Sequence, residues 1–529
     1  MIIDNFSARR PALHPSQLPA GGAQDANNCV FRAGRLQPLR AAVTDHSQAL
    51  TPLSLFPYRR NNGSHEWFAW AQDVDVHYAA EAGDTYNRII WTGQDYPRVT
   101  HETDAIVSAP YPSNSWKLGV PAPGIAPTVA LNGAEPADPD SELPDTRVYV
   151  TTYVNRYGWE GPPSPPSNSL DVYSTQSVDL SNLPTAPVGN YNMLYLRVYR
   201  SATGSSGTVL QLVHELPVGT SVFNDAKGGA ELGEALETET FEPPPDDMEG
   251  LVSLPNGFFA GFAGKTVYMS EPGFPYAWPY QQTLAHEIVA LAVYGNNLVA
   301  LTDSTPYAAV GVHPSSAVLE ALEIPQSCTS KRGVVSTGDG IVYPSPDGLV
   351  FLSSSGSRML TEGVISRDQW GADFRPSELR AVLWEGVYLA FHDAGGFAIH
   401  PHAPEMGVVD YADSYNAMAY NPETDKMYVA TGTQVKRWHD GAAGTFVWRS
   451  GQIRTEEYSN FSVAKVVADS YPLTLRYFAD GVLKHTQSVT SREPFRLPAG
   501  FQAIEHSVEL EGSADVLRVH FARGMREIR

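Results

Sequence analysis

Four stretches of the chain combine residue types that can do chemistry. Asp73, Asp75 and His77, in "DVDVH", alternate along an extended segment, so all three project to one face, where they could bind a cation. His392, His400 and His402 ("HDAGGFAIHPH") could approach one another across a hairpin, although two of them flank a proline and no carboxylate stands at a fixed offset. Asp138, Asp140 and Glu142 ("ADPDSELPD") have calcium-loop spacing. Leu143 stands where the turn glycine belongs and Tyr149 where the closing glutamate belongs, which excludes an EF-hand. Ser345-Pro346-Asp347-Gly348 sets a hydroxyl beside a carboxylate, but Pro, Asp and Gly in that order make a tight turn. In each case a solvated strand face or a turn accounts for the residues, because no further ligand is placed. The chain has no Gly-x-Ser-x-Gly elbow and no phosphate-cradling glycine loop, and "TGSSG" (Thr203 to Gly207) reads as a hairpin loop. No catalytic, metal or cofactor-binding residue is assigned, no cofactor is expected, and the chain is expected not to be an enzyme.

The balance of charge narrows the partners. Against 36 Lys and Arg stand 58 Asp and Glu, a net charge of −22, so most surfaces repel phosphate and anionic lipid. No basic stripe of the kind a sequence-reading DNA binder carries is present. Lys331, Arg332, Arg358 and Arg367 are the residues proposed to form a local basic ring. Cys29 and Cys328 have no metal-ligand spacing and cannot make a disulfide framework, which suits synthesis in a reducing compartment. The first ten residues lack a secretory apolar core, and no apolar run reaches membrane-spanning length.

The elements that must position these residues are short strands. "GIVYPSPDGLVFLSS" (340–354) is a hairpin whose arms do not alternate, so both of its faces must be covered. Similar units turn near Gly264, Asn296, Asp339, Gly386 and Thr424. Their spacing averages about 40 residues, the period of a four-stranded propeller blade packed between two neighbours. "HEWFAWAQDVDVHYAA" and "NRIIWTG" supply earlier blade strands. Two acidic, Pro-rich stretches, "EPADPDSELPD" and "EPPPDDME", enclose a run of alternating strands the size of a β-sandwich. That run resembles a fibronectin type III module through Tyr153, Asn155 and Gly158 to Pro163. The expected fold is all-β. An N-terminal arm and first propeller strands fill 1–118, the inserted sandwich 119–248, the main blades 249–447, and a C-terminal β region or closing blade 448–529. The linkers suggest independent cores, so removal of 121–244 is expected to leave a folded β-protein.

Beyond these patterns, several stretches resemble the tail nozzle proteins (tail tubular protein B type) of short-tailed bacteriophages and prophages. They are "QDANNCVFRAGRLQPLR", "KLGVPAP", "YVNRYGWEGPPSPPS", "RVYRS", "LPNGFFAGFAGKTVYMSEPGFPYAWP", "VYPSPDGLVFLSSSGSRMLTEGVISRDQW" and "EPFRLPAGF", spread over nearly the whole chain. The resemblance implies a structural virion protein of the tail, assembled in the bacterial host cytoplasm as a homohexameric ring. Its central channel would pass genome DNA without reading sequence. The ring would dock on the portal–adaptor complex and carry tail fibres or spikes. No catalytic residues carry over, and the channel-gating residues cannot be numbered. The alternative is a glycan-binding or glycan-cleaving tail propeller, with Trp67, Trp70, Trp91, Trp370 and Trp384 as candidate sugar-stacking rings.

Overall fold

The computed structural model describes residues 1–529 apart from 20, 80, 82, 205, 206, 311, 312 and 529. Turn residues break the chain every few positions, and the short apolar runs between them pair into small antiparallel sheets. Seven of these sheets, among the described residues, follow one another around a common axis as the blades of a β-propeller. Blade 1 has two strands, Ser54–Arg59 and His65–Trp70. Blade 2 runs from Asp75–Tyr78 to Trp116–Lys117, blade 3 from Glu249–Ser253 to Tyr280–Thr283, and blade 4 from Ile288–Tyr294 to Glu320–Ala321. Blade 5 runs from Val335–Ser336 to Gly356–Met359, and blade 6 from Arg380–Trp384 to Val408–Tyr411. Blade 7 takes three strands from Ala417–Asn421 to Gln434–Arg437 and a fourth, Val43–Ser47, from before blade 1. That exchange closes the ring.

Closure explains the missing alternation. In blade 5, Ile341 and Tyr343 enter the core shared with blade 4, while Val342 between them enters the core shared with blade 6. Each strand is apolar on both faces because each face meets a neighbouring sheet. The hairpin at Gly264 joins the second and third strands of its blade, whereas those at Asn296, Asp339, Gly386 and Thr424 join first and second strands. The uneven spacing of the first repeat therefore reflects a different hairpin of the same unit. The TGSSG loop joins strands Met193–Gly204 and Gly207–Pro217, but Ser205 and Ser206 at its tip lie outside the described residues.

Two expected boundaries move. Residues 446–529 do not close the propeller. They form a two-sheet unit with the first 38 residues: Ala23–Asn27 pairs with Phe446–Ser450, and Arg35–Pro38 reaches the sheet of Val463–Ala468 and Val516–Ala522. Phe6, Cys29, Leu36, Trp448, Leu475, Val519 and Phe521 share its core. The N-terminal arm thus belongs to the C-terminal unit, tied to blade 6 by the Arg9–Asp410 ion pair and the Asn27–Asp410 strand contact.

The insert contains a sheet of Thr128–Asn132, Ser177–Ser181 and Phe223–Asp225 and a second of Tyr149–Asn155, Met193–Gly204 and Gly207–Pro217. Its likeness to a fibronectin type III module is one of residues alone. Its core is not independent: Val129, Tyr149 and Leu196 belong to one cluster with Ile90, Val99, Leu251, Phe259, Tyr276 and Trp278 of the adjoining blades. Trp159 is the keystone, buried at 2% exposure and stacked 4.8 Å from Tyr276. Arg88 lies 4.9 Å over the Trp159 ring and is itself held by Glu81 and Asp84. The shortened chain lacking 121–244 would expose this apolar junction, which corrects the expectation of separable cores. Trp159→Ala is expected to destabilise the intact chain by about 3–5 kcal/mol, read by denaturant unfolding. A loss below about 1 kcal/mol would show that the two units are only loosely joined.

Candidate functional site

The propeller axis holds a cavity of about 550 Å³, lined by residues from the innermost strands of all seven blades or from the turns leading into them. Its charged groups come from two opposed places. Asp73 and Asp75 lead into blade 2, with Val74 between them buried at 2% exposure, so the two carboxylates point the same way into the axis. Lys331 and Arg332 lie in the single helical turn Lys331–Gly333 before blade 5. That turn is held tightly. Ser330 Oγ accepts from the Gly333 amide and donates to the Leu379 carbonyl at 2.7 Å, and Tyr388 Oη donates to the Gly333 carbonyl at 2.8 Å. A Cβ on Gly333 would meet Pro344 at 2.6 Å, so the turn needs glycine there for space.

Across the axis, Lys331 Nζ lies 2.7 Å from Asp75 and 3.8 Å from Asp73. Arg332 pairs with Asp73, approaches Asp75 at 3.1 Å, and donates to the Val74 carbonyl at 2.6 Å. Burial raises the Asp75 carboxyl above its ordinary range, and Lys331 opposes that rise. Burial also lowers the Arg332 guanidinium to about 10, although 34% of its side chain still faces the cavity. His77, two residues further along the strand, is pushed down to about 4 by burial, with its ring bonded to the Leu251 backbone. It is a neutral imidazole at ordinary pH. Arg380, at the same level, is drawn away to Asp393 at 3.1 Å.

This arrangement is a clasp: two cations answer two carboxylates, and blade 5 is tied to blade 2 through the axis. It offers no free nucleophile and no carboxylate poised against an acid. Its volume equals that of a sphere about 10 Å across, whereas the major groove of duplex DNA is by itself about 12 Å wide. The axis of a single propeller cannot pass a duplex.

The other sequence candidates are dispersed. His392 Nδ1 accepts from the Ala394 amide, and His400 Nδ1 from the His402 amide; the His400 and His402 rings lie 6.1 Å apart, edge to face. No group of three or more His, Cys, Asp or Glu able to hold a metal occurs among the described residues. Asp138 and Asp140 stay exposed, and Glu142 accepts from Ser174. Ser345 closes its turn onto Gly348 and accepts from the Trp370 indole, while Asp347 pairs with Arg367 at 2.8 Å. Arg358 donates to the Pro401 carbonyl over the Phe351 ring. The four basic candidates therefore divide, Lys331 and Arg332 on the axis, Arg358 and Arg367 away from it. Cys29 and Cys328 are buried in separate cores, their thiols raised by burial. Trp70, Trp91 and Trp370 are buried, Trp384 packs on Trp438, and Trp67 lies against His46 and Tyr428.

Sequence reading missed the buried Arg88 and Arg200. Arg88 carried a signal, its i,i+4 spacing from Asp84 within an aromatic stretch; Arg200 meets Asp225 only because the two sheets of the insert pack on each other.

No protein-family model matches the chain, and no curated protein matches it. Solved structures similar to it include BamB from Moraxella catarrhalis, 11% identical, covering 75% of this chain and 99% of that one at a TM-score of 0.30. The Pan2 WD40 domain of Neurospora crassa is 8% identical over 75% and 97% at 0.29. Glutaminyl cyclase of Myxococcus xanthus is 15% identical over 36% and 89% at 0.22. The β-propeller assignment stands on the strand pairing and the blade cores themselves.

Removing Lys331 leaves the carboxylates Asp73 and Asp75 to share Arg332. Lys331→Met is expected to cost about 3 kcal/mol of stability, measured by denaturant unfolding, whereas Lys331→Arg should retain most of it. His77 predicts an acid limb. The unfolded chain takes up that proton near pH 6.5 and the folded chain only near 4, so stability is full above 6.5 and falls as pH drops through that window. His77→Gln should lose less stability than the parent between pH 6.5 and 4 in thermal melts. An identical slope in both proteins would remove His77 from the account.

Proposed function

We propose that this chain is the nozzle subunit of a short phage tail, a structural protein that assembles as a homohexameric ring around a DNA conduit. The observation that carries the reading is where its family-like residues meet. "KLGVPAP", "YVNRYGWEGPPSPPS" and the "FPYAWP" end of the blade 3 stretch are far apart in sequence and pack on one another at the junction of insert and propeller. A Cβ on Gly161 would meet Val120 at 2.6 Å, Trp159 stacks on Tyr276, and the Trp278 amide donates to Glu242 at 2.7 Å. The distinctive residues are spent on rigidity between units, as a conduit under load requires, and not around an open pocket.

The narrow axis of the single propeller supports the same reading in a specific form. DNA would pass between subunits, along the axis of the ring, and no propeller would be threaded. A net charge of −22 per chain gives such a wall little hold on phosphate. The glycan-binding alternative draws no support from the tryptophans, most of which are consumed in packing.

Electron microscopy of the purified protein, alone and with a portal–adaptor complex, should give six-fold rings docked at the distal end of the tail. Duplex DNA should bind weakly at low salt and without the steep salt-dependent loss that counterion release imposes on true DNA binders. Host polysaccharide, lipid and peptidoglycan should not be turned over. Tight salt-sensitive DNA binding by isolated subunits, or hydrolysis abolished by a change at Asp347 or His392, would overturn the proposal.

A further inference from the structure

The acidity of the chain is unevenly placed. Residues 119–248 hold five Lys and Arg against seventeen Asp and Glu, whereas residues 446–529 hold eleven against ten. In the C-terminal unit some of the basic residues share one sheet face. Strands Val463–Ala468 and Val516–Ala522 pair with Lys465 opposite His520 and Val467 opposite Arg518. Because Ala464, Val466, Val519 and Phe521 enter the core, these four residues share the outer face. Ile2, paired with His520 on its other side, extends that face at 51% exposure. The terminal turn Met525–Glu527 is held over one end of it by Ile528, packed on Val463 and Ala522, which brings Arg523 and Arg526 to the same side and Met525 at 49% exposure.

Arg518, Arg523 and Arg526 are exposed. Among the described residues, the ion pairs of 446–529 are those of Arg476 with Glu509 and Glu511, so these three cations have no such partner there. Nearby acids are engaged elsewhere: Glu527 accepts from the Arg523 amide, and Asp515 from Gln37. His520 feels the resulting field. Its imidazole is lowered first by burial and then by positive charges that include Arg518 and Lys465, with Glu527 opposing.

The matching surface is on the same chain. In the insert, Glu135, Asp138 and Asp140 are exposed and make no ion pair among the described residues, and Leu143 beside them is 94% exposed. An acidic loop with a protruding leucine complements a basic face with exposed Ile2 and Met525 in both charge and apolarity. We infer that the outer face of the C-terminal unit is a docking surface for the acidic loop 135–145 of a second copy of this chain. The contact is heterologous, one patch against a different patch, and such contacts build rings when the rotation closes and open filaments when it does not. The inference rests on the ring reading for closure but not for the contact itself. A polyphosphate would satisfy the arginines but give Leu143, Ile2 and Met525 nothing to do.

Sedimentation velocity of the full chain across a salt series tests it, with the double variants R518E/R526E and D138K/D140K and the chain carrying all four changes. The parent should associate and weaken as salt rises, since exposed charges are screened beyond about 8 Å at physiological strength. Each double variant should associate about tenfold more weakly or worse, the four-fold variant should recover association, and L143A should weaken it without changing the salt dependence. If R518E/R526E still assembles into six-fold rings, the inference fails and the nozzle reading stands. Recovery by the four-fold variant in assemblies that never close would keep the inference and sink the ring. Loss of duplex DNA binding in R518E/R526E with association unchanged would reassign the face to nucleic acid. A parent that stays monomeric at every concentration, with adaptor present, overturns both.

Discussion

Everything in the propeller depends on ring closure. A blade that is apolar on both faces is stable only when both neighbours are present, and the last blade has a neighbour only if the circle is completed. Here completion falls to Val43–Ser47, which leaves the N-terminal segment to pair with Gln434–Arg437 nearly four hundred residues later. Strand hydrogen bonds give that closure its direction, and Arg437, bonded to both Asp45 and Asp440, reinforces it at the surface. The same N-terminal segment, a few residues earlier, has already entered the two-sheet C-terminal unit. The chain's beginning is therefore the element that holds propeller and C-terminal unit in one body.

A closed ring leaves an axis, and the axis must be filled or solvated. This protein bridges it with charge. The exchange between Asp73, Asp75, Lys331 and Arg332 is a demanding solution, because each ion surrenders hydration that only its partners can replace. In return, blade 2 and blade 5 are linked directly through the centre, where a propeller has otherwise only contacts between adjacent sheets. The insert applies a similar logic on the outside. It leaves the ring between blades 2 and 3 and is anchored by stacked aromatic rings and a buried arginine.

For a conduit, these choices are consistent with one another. In a conduit, stiff junctions would transmit force, a narrow propeller axis would leave the polymer path to the space between subunits, and acidic surfaces would avoid adhesion to the cargo. The uneven remainder, an acidic insert and a basic sheet face, gives the chain two unlike patches. Unlike patches are what a ring of identical parts needs.

Much of this was legible in the residues themselves. Loss of alternation in Gly340–Pro344 and Leu349–Ser353 announced sheets covered on both sides, and the repeat near 40 residues announced blades. Pro-rich acidic stretches marked the insert. Period-two placement of Asp73, Asp75 and His77 put them on one face, since alternation along a strand is a local property. What lay opposite that face was not local. Lys331 and Arg332 meet the two aspartates only because three of the seven blades carry the chain nearly halfway round an axis, and no spacing between 75 and 331 encodes that meeting. The same holds for the N-terminal arm, whose partners lie at the far end of the chain, and for Trp159, whose core turned out to be shared. Sequence determined the units, because hydrogen-bonded pairing and turn chemistry act over a few residues. The tertiary structure decided which unit belongs to which core and which charge answers which, because burial and Coulomb attraction act through space and are indifferent to distance along the chain.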